Sequence, residues 1–283
     1  MFTRRQIMKT SVAIAAAAFA PADIGRAAGT GLVWKHFPAG PNGFFRAPVV
    51  LSGATEALLI DGGFTYPDGR ALVEAVKASG KKLTTIYVSQ SDPDYYFSLK
   101  PVREAFPEAK VIAASETVAA IKVSVEKKLA VWGPQLKENG PQALADIVLP
   151  EAFDGPSLTV DGAAVEIVAA EGLANRRYLW ASSLNAVFGG VLVFAGVHVW
   201  TADTPTKEER AAWVANLDKI AEAEKVEVSD QELDNEVLML SLQTREPYET
   251  LRERLNRDGG INRLREEMRR EKTGNVLYEK LAS

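Results

Sequence analysis

Two carboxylates and two tyrosines stand close together in one short stretch of the chain, Asp92-Pro93-Asp94-Tyr95-Tyr96. Carboxylate oxygens bind hard divalent cations such as Mg²⁺, Ca²⁺ or Mn²⁺, and a carboxylate can also act as a general base. A tyrosine hydroxyl can donate a proton or polarise a carbonyl group. The stretch therefore supplies candidate catalytic residues for a hydrolase, namely Asp92, Asp94 and Tyr95.

The same residues also have a purely structural interpretation. Asp and Pro are ordinary turn residues, and Asp94 is able to cap a following helix. The side chains of Tyr95-Tyr96-Phe97 can line a ligand cavity, or they can pack with the hydroxyl groups reaching water. Both interpretations stay open. We expect segment 89–97 to form the mouth of a cleft for a small-molecule ligand, because it follows the C-terminal end of a predicted strand.

Residue counts exclude several kinds of site. The chain has 283 residues, no cysteine and two histidines, His36 and His198, so disulfides, Cys-based zinc sites and a thiol nucleophile are excluded. The net charge of −4 leaves no basic footprint, and we expect no nucleic-acid partner. Neither Ser89 nor Ser91 lies in a Gly-x-Ser-x-Gly or Ser-x-x-Lys motif, which disfavours a serine nucleophile.

Alternating strands and helices must position these residues. Alternation of apolar side chains predicts strands at 32–37, 44–51, 56–61, 83–88 and 110–114, and helical periodicity predicts helices at 69–79, 99–106 and 115 to about 130. After a loop at 132–150, strands are predicted at 157–160, 164–169, 178–182, 186–193 and 226–228, and helices at 206–223 and from 235 onward. The alternation stops twice for runs of strands, which favours two sheets with helices outside over one doubly wound sheet.

Several motifs, in this order, resemble those of the metallo-β-lactamase superfamily. Leu58-Leu59-Ile60-Asp61-Gly62-Gly63 precedes a helix, and Thr85 to Tyr95 follows it, as the family's Asp-x-Gly strand is followed by Thr-His-x-His-x-Asp-His. Glu171-Gly172 and Gly189-Gly190 continue the similarity, which extends over residues 32–230. The resemblance implies an α/β fold, a four-layer αββα sandwich with an added helical C-terminal segment, and a hydrolase-like function. It also implies that Asp61 is a buried anchor of the metal loop.

The zinc ligands of the family do not carry over. The positions that correspond to them hold Gln90, Asp92, Tyr95, Leu173, Val191 and Asp230. Zinc in hydrolytic sites is bound mainly by imidazole nitrogens, and neither histidine lies in these motifs. We therefore expect no zinc cofactor. The remaining carboxylates, Asp92, Asp94 and Asp230, suit a harder divalent cation, and a cation of that kind is left open.

The N-terminus has the order of a secretory signal. A basic stretch, Thr3-Arg4-Arg5-Gln6-Ile7-Met8-Lys9, precedes an alanine-rich apolar run at 11–20 and small residues up to 28. The basic stretch resembles the bacterial twin-arginine signal. The apolar run is shorter than the roughly 20 residues of a membrane span. We expect residues 1–28 to be removed and a mature protein without a membrane span to reside in the periplasm.

The sequence thus predicts three parts: a signal peptide at 1–28, a metallo-β-lactamase-like domain at 29–234 and a helical extension at 235–283. The extension interleaves Arg and Glu at helical spacing, which is typical of a solvated face, and a homodimer arm is left open. Two functions are left open as well. One is a periplasmic hydrolase with an altered centre, and the other is a non-catalytic pseudoenzyme that binds a small molecule or a protein.

Overall fold

The computed structural model describes residues 25–26, 31–194, 199–223 and 225–282. The predicted signal peptide, apart from Gly25 and Arg26, lies outside the described residues, as does His198. Two β-sheets and seven α-helices make up the described part of the chain.

The first sheet has seven strands, ordered in space as in sequence. They are β1 (Gly25–Arg26), β2 (Val33–His36), β3 (Val49–Ser52), β4 (Glu56–Ile60), β5 (Lys82–Tyr87), β6 (Lys110–Ala113) and β7 (Glu151–Ala152). Strands β1 to β4 pair antiparallel, and β4 to β7 pair parallel. Because parallel strands end at the same edge of a sheet, Asp61 after β4 and Val88 onward after β5 emerge side by side.

The second sheet has four antiparallel strands in the order β11-β10-β9-β8. They are β8 (Ser157–Val160), β9 (Ala163–Ala169), β10 (Arg177–Ala181) and β11 (Ala186–Phe188). The chain enters this sheet directly from β7, so its strands form as consecutive hairpins.

The seven helices lie on the outer faces of the sheets and in the C-terminal part. They are α1 (Tyr66–Ser79), α2 (Leu99–Ala105), α3 (Ser115–Leu136), α4 (Lys207–Ala223), α5 (Asp230–Thr244), α6 (Tyr248–Arg257) and α7 (Gly260–Ala282). No helix among the described residues combines the length and the apolar content that crossing a membrane requires.

Burial on both faces of the first sheet explains the four layers. In β4, Leu58 and Ile60 belong to the cluster between the sheets, while Ala57 and Leu59 belong to the cluster under helices α1 to α3. This division follows the period of two in a strand. A third cluster around Trp213 joins α4 to the outer side of the second sheet. The predicted αββα sandwich with a helical C-terminal segment is confirmed.

Three predicted strands are shorter in the structure or are missing. Strand β11 ends at Phe188 instead of 193, because Gly189 and Gly190 take left-handed φ angles of 72° and 81°. Residues 44–48 precede β3 as a turn, since Phe44 and Phe45 also have positive φ. Segment 226–228 is coil, and the carbonyl of Val228 accepts a hydrogen bond from Arg265 Nη1 at 2.7 Å instead of pairing in a sheet.

Helix α3 continues six residues past its predicted end, through Gly133 and Pro134. A proline inside a helix removes one backbone hydrogen bond. The lost bond is the one to the carbonyl of Ala130. The last turn is closed at Gly133, whose carbonyl accepts hydrogen bonds from the Lys137 N–H and from Gln142 Nε2, the latter at 3.0 Å. The predicted loop at 132–150 is thus helical in its first part and forms short 3₁₀ turns at Lys137–Asn139 and Leu144–Asp146.

The C-terminal helices are packed onto the sandwich. The Asp218 carboxylate of α4 accepts two hydrogen bonds from Arg270 of α7, at 2.8 and 3.0 Å. A Cβ at Gly274 of α7 would lie 3.3 Å from the carbonyl oxygen of Phe194, so this helix lies close to the chain that leaves β11. The predicted boundary between 234 and 235 falls inside α5, which begins at Asp230.

Candidate functional site

A hydrogen-bonded clamp forms where β4 and β5 end. The Asp61 carboxylate accepts the Ser89 backbone N–H at 2.7 Å and the Ser89 hydroxyl at 2.8 Å. The same hydroxyl accepts the N–H of Gly190 at 3.0 Å, and Gly190 follows β11 of the other sheet. Asp61 has a left-handed φ of 63° and is buried, as expected of an anchor. The clamp therefore ties the two sheets together at the edge that carries segment 89–97.

Burial decides the charge state of this anchor. Removal from water disfavours the ionised carboxylate and raises the pKa of Asp61 to about 7, while the hydrogen bonds from Ser89 and the charge of Arg46 oppose that rise. Asp61 is fully engaged within the clamp, so it is a structural residue.

Asp92 is held by two partners. Its Oδ1 lies 2.6 Å from Lys128 Nζ of α3, and its Oδ2 accepts a hydrogen bond from Gln90 Nε2 at 3.1 Å. The Asp92 backbone N–H in turn donates to Gln90 Oε1. Gln90 stands where the metallo-β-lactamase motif has its first histidine. Its side chain thus forms hydrogen bonds within the loop, to Asp92.

Asp94 pairs with Arg46, which reaches it from the segment between β2 and β3. Arg46 Nε lies 3.2 Å from Asp94 Oδ2, its Nη1 donates to the Tyr95 hydroxyl, and its guanidinium lies 5.0 Å from the centre of the Tyr95 ring. Burial raises the pKa of Asp94 to about 6, although the positive charge of Arg46 opposes the rise. Two of the three predicted catalytic residues, Asp94 and Tyr95, are therefore both in contact with Arg46.

The aromatic side chains of the segment are core residues. Tyr95, Tyr96 and Phe97 are 4%, 1% and 1% exposed, and all three belong to the cluster under helices α1 to α3. Phe97 stacks on Phe64 at 6.0 Å between ring centres. These rings pack beneath the loop, which is the packing alternative; the cleft at segment 89–97 and its small-molecule ligand stay predictions.

A third cation, Arg176, lies just before β10. It is 2% exposed, and its guanidinium lies 4.7 Å from the centre of the Trp213 ring. Its Nη1 donates to the carbonyl of Val191 at 3.2 Å, whereas its Nη2 is buried without a hydrogen-bond partner in the described structure. A buried donor left unpaired costs about 1–3 kcal/mol. Burial also lowers the pKa of Arg176, and Asp203, Asp92 and Glu209 oppose this.

The remaining zinc-ligand positions do not reach the loop as ligands. Leu173 is a buried member of the third cluster, and Val191 contributes its carbonyl to Arg176. Asp230 begins α5, is exposed, and accepts a hydrogen bond from Arg265 Nη2 at 2.6 Å. The predicted set of Asp92, Asp94 and Asp230 stays a prediction, and each of the three carboxylates has a cationic partner, Lys128, Arg46 and Arg265 respectively.

The donor set does not fit the zinc centre of the metallo-β-lactamase fold. Two of the positions carry apolar side chains, one carries an amide and one carries a tyrosine bound to arginine, where imidazole nitrogens are needed. Within residues 31–194, 199–223 and 225–276, no cluster of three or more His, Asp or Glu side chains is arranged to hold a metal ion. We derive no zinc-dependent step for this chain.

Sequence reasoning missed the three cations of the site. Arg46, Lys128 and Arg176 lie on three separate elements, and each meets its partner only through the tertiary fold. No local motif marks them. The sequence offered one indirect signal, the absence of the imidazoles. Without them, carboxylates in a buried loop must find another source of positive charge.

Solved structures share this fold. The chain is similar to the B3 metallo-β-lactamase BLEG-1, with 18% identity and a TM-score of 0.51 over 67% of this chain and 86% of that one. A metallo-β-lactamase family protein from Thermus thermophilus aligns with 18% identity and a TM-score of 0.47 over 76% of this chain and 80% of that one.

Two comparisons find similarity to trigger factor, and the longer match extends beyond the C-terminal helices. Residues 208–279 match the family described as the C-terminus of bacterial trigger factor protein. A trigger factor from Koribacter versatilis (strain Ellin345) is 30% identical over 198 residues, which are 67% of this chain and 44% of that protein. The chain thus spans less than half the length of this relative. The protein has the metallo-β-lactamase fold, followed from α4 onward by helices that are similar to the C-terminal region of trigger factor.

Proposed function

We propose that this protein is a non-catalytic, metal-independent binding protein built on the metallo-β-lactamase fold. One observation carries the proposal: the two carboxylates of the former metal loop, Asp92 and Asp94, are paired with Lys128 and Arg46. In a metal centre the ion supplies the positive charge that such carboxylates need. Here two side chains of the protein supply it.

Removing these cations to admit a metal ion would be costly. The side chains of Arg46 and Asp94 are 21% and 17% exposed, so both lie mostly out of water. Breaking a buried ion pair by removing one partner costs about 3–5 kcal/mol, because a charge is left uncompensated. The arrangement therefore favours the paired, metal-free state of the loop.

The same contacts disfavour the alternative, a hydrolase with an altered centre. A general base must reach the proton that it abstracts within about 2.6–3.2 Å, directly or through one water. Asp94 is occupied by Arg46, and the hydroxyl of Tyr95 accepts from the same guanidinium. Hydrolysis of a substrate would require these contacts to open first.

Metal analysis of protein purified without chelator tests the proposal. We expect substoichiometric metal, a melting temperature unchanged by EDTA, and no hydrolysis of ester, lactone, amide or phosphoester probes above the buffer rate. Asp94→Asn serves as the site variant and Asp146→Asn as the control, since Asp146 forms a comparable pair with Lys100 at 2.6 Å elsewhere. Stoichiometric metal that Asp94→Asn removes and Asp146→Asn retains would support the hydrolase instead.

We also propose that the twin-arginine signal exports the protein to the periplasm. Arg4 and Arg5 precede the apolar run in the order that the export route requires. Fractionation of a bacterial host should recover the wild-type chain from the periplasm in a shortened form. The Arg4→Lys/Arg5→Lys variant should stay full-length inside the cell, and equal export of both forms would contradict the proposal.

A groove between α5 and α7 favours a second candidate function, the binding of a protein partner. The groove has a volume of about 350 Å³ and is lined by Val228, Glu232, Asn235, Glu236, Met239, Met268, Glu271, Lys272 and Asn275. Leu238, Met239 and Leu242 are 46%, 51% and 66% exposed on α5. Lys272 is already paired with Glu232, so Glu236 and Glu271 leave the groove acidic. The matching chemistry is a peptide with apolar and basic side chains.

Peptide binding tests this second candidate. A fluorescent peptide of alternating leucine and arginine should bind the wild-type protein, and one of leucine and glutamate should not. Met239→Glu, in the groove, should weaken binding at least tenfold, while Val123→Glu, at an 88% exposed position on α3, should leave it unchanged. Equal binding of the two peptides would contradict this second candidate function.

A further inference from the structure

Arg176 holds the one guanidinium of the loop region that is both almost fully buried and incompletely bonded among the described residues. Its Nη1 is satisfied by the Val191 carbonyl, and the Trp213 ring supports its plane. These two contacts fix the position of Nη2, whose own N–H groups have no hydrogen-bond partner among the described residues. Buried polar groups are paired in the great majority of native structures, so an exception calls for a partner.

The surroundings of Arg176 contain acids that already have partners. Asp92, which interacts electrostatically with Arg176, accepts from Lys128 and from Gln90. Asp203 also faces Arg176 and accepts a hydrogen bond from the Trp200 side chain. Arg176 also interacts electrostatically with Arg46, the cation that pairs with Asp94.

One buried donor in this region has unused hydrogen-bonding capacity. Arg46 Nε lies in ion-pair range of Asp94 but makes no hydrogen bond of regular geometry within the described structure, and Arg176 Nη2 makes none. Arg46 Nε faces Asp94 at 3.2 Å, so the free donor is Arg176 Nη2. A guanidinium group with free N–H donors matches the oxygens of a carboxylate or a phosphate group. A cationic ligand, or one without an acceptor oxygen, would leave this donor unpaired.

We propose that the former metal cleft is an oxyanion-binding site, in which Nη2 of Arg176 contacts the carboxylate or phosphate group of a small molecule. This inference rests on the proposed function, since it requires the cleft to bind a ligand without metal. In place of metal ions, a fixed guanidinium group supplies the positive charge that recognises the anion. Trp213, stacked on Arg176, reports on occupancy.

Titration of the full-length protein with acetate, malonate, inorganic phosphate and glycerol tests the site, at an ionic strength held constant with chloride. Trp fluorescence and the melting temperature are the readouts. We expect saturable binding of malonate or phosphate and none of glycerol. A response to malonate alone assigns the site to carboxylates, and a response to phosphate alone assigns it to phosphate groups.

Arg176→Gln should weaken binding at least tenfold. The control is Arg177→Gln, because Arg177 is adjacent but pairs with Glu116 at 2.6 Å. If Arg176→Gln does not fold, Arg176→Lys keeps the charge but loses the fork, and a loss of at least threefold in affinity is expected. Equal affinity of wild type and Arg176→Lys, or no saturable response of the wild type to any anion, would overturn the proposal.

EDTA separates this inference from the proposed function. Anion binding that EDTA abolishes and that survives Arg176→Gln would show that a metal ion is the receptor, and both proposals would then fail. A metal-free protein that binds none of the anions would leave the non-catalytic function standing and would overturn the oxyanion site alone.

Discussion

Asp61 and Ser89 are joined by two hydrogen bonds, one from the Ser89 amide at 2.7 Å and one from its hydroxyl at 2.8 Å. They lie 28 positions apart and follow neighbouring parallel strands. Because the hydroxyl also accepts from Gly190 of the opposite sheet at 3.0 Å, protonation of one carboxyl is coupled to the contact between the sheets.

The pH dependence of the free energy of unfolding should reveal the titration of the Asp61 carboxyl. The folded-state pKa of Asp61 is raised to about 7 and that of Asp94 to about 6, so the folded chain binds more protons than the unfolded chain between pH 4 and 7. The free energy of unfolding should therefore fall as pH rises through this window. Asp61 alone contributes up to about 4 kcal/mol of this change. Urea unfolding at a series of pH values measures it.

Substitution identifies the responsible group. Asp61→Asn cannot ionise and should flatten the fall between pH 5 and 7.5. Asp146→Asn should keep the slope, because the pKa of Asp146 is lowered, first by its hydrogen bond with Lys100, and its titration ends below this window. An unchanged slope in Asp61→Asn would show that the carboxyl ionises normally.

Loss of Arg46 should destabilise the fold through the charge that it leaves behind. Arg46→Met keeps much of the apolar stem but leaves Asp94 without a cation. We expect a loss of about 2 kcal/mol at pH 8, below the range for fully buried pairs because each partner keeps some exposure. The loss should be smaller at pH 5, where Asp94 is protonated. Chemical denaturation at both pH values measures the difference.

Two comparison variants make this test specific. Arg46→Met/Asp94→Asn removes both charges and should recover much of the lost stability. Lys100→Met breaks a more exposed pair, with side chains 39% and 23% exposed, and should cost less than about 1 kcal/mol. If the double variant is no more stable than Arg46→Met, the ion pair is not the cause.

The sequence predicted the layers of the fold because burial imposes a visible period. Leu58 and Ile60 alternate with Ala57 and Leu59 between two apolar environments, so β4 was recognisable without any partner strand. The ends of β11 and α3 were not recognisable. They depend on the backbone angles at Gly189 and on a hydrogen bond from Gln142, and neither is a property of the local pattern.

The candidate site was only half predictable for the same reason. Asp92 and Asp94 were identified from their position after a strand, but their partners Lys128 and Arg46 come from distant elements. The partner of Asp230, Arg265, likewise comes from a distant helix. Long-range pairing of charges leaves no period in a sequence.

Gly190 should tolerate no side chain. A Cβ there would lie 2.8 Å from the Arg177 carbonyl oxygen and 2.9 Å from Tyr178 Cβ, at a φ of 81°. Gly162 has nearly the same φ, 80°, but open space around it. Gly162→Ala should therefore cost about 1 kcal/mol from backbone strain. Gly190→Ala should cost a further 1–3 kcal/mol or so from overpacking.

Thermal and urea unfolding of the two variants separate strain from steric contact, since both carry the same substitution at the same backbone angle. Equal destabilisation would show that the Arg177 carbonyl and the Tyr178 side chain of β10 can move away from Gly190. The hydrogen-bonded clamp between the sheets would then be more easily deformed than its hydrogen bonds indicate.

The helices from α5 onward should unfold together with the sandwich as one cooperative unit. Leu233 and Leu242 lie on the same helix, yet Leu233 is 3% exposed and Leu242 is 66% exposed. Leu233→Ala should lower the free energy of unfolding by about 2–5 kcal/mol, and Leu242→Ala by less than about 0.5 kcal/mol.

Ion pairs of α7 with Asp218 of α4 connect these helices to Trp213 and the second sheet. Calorimetry of Leu233→Ala should therefore show one transition at lower temperature; a second, separate transition would mean that the trigger-factor-like helices fold independently of the sandwich.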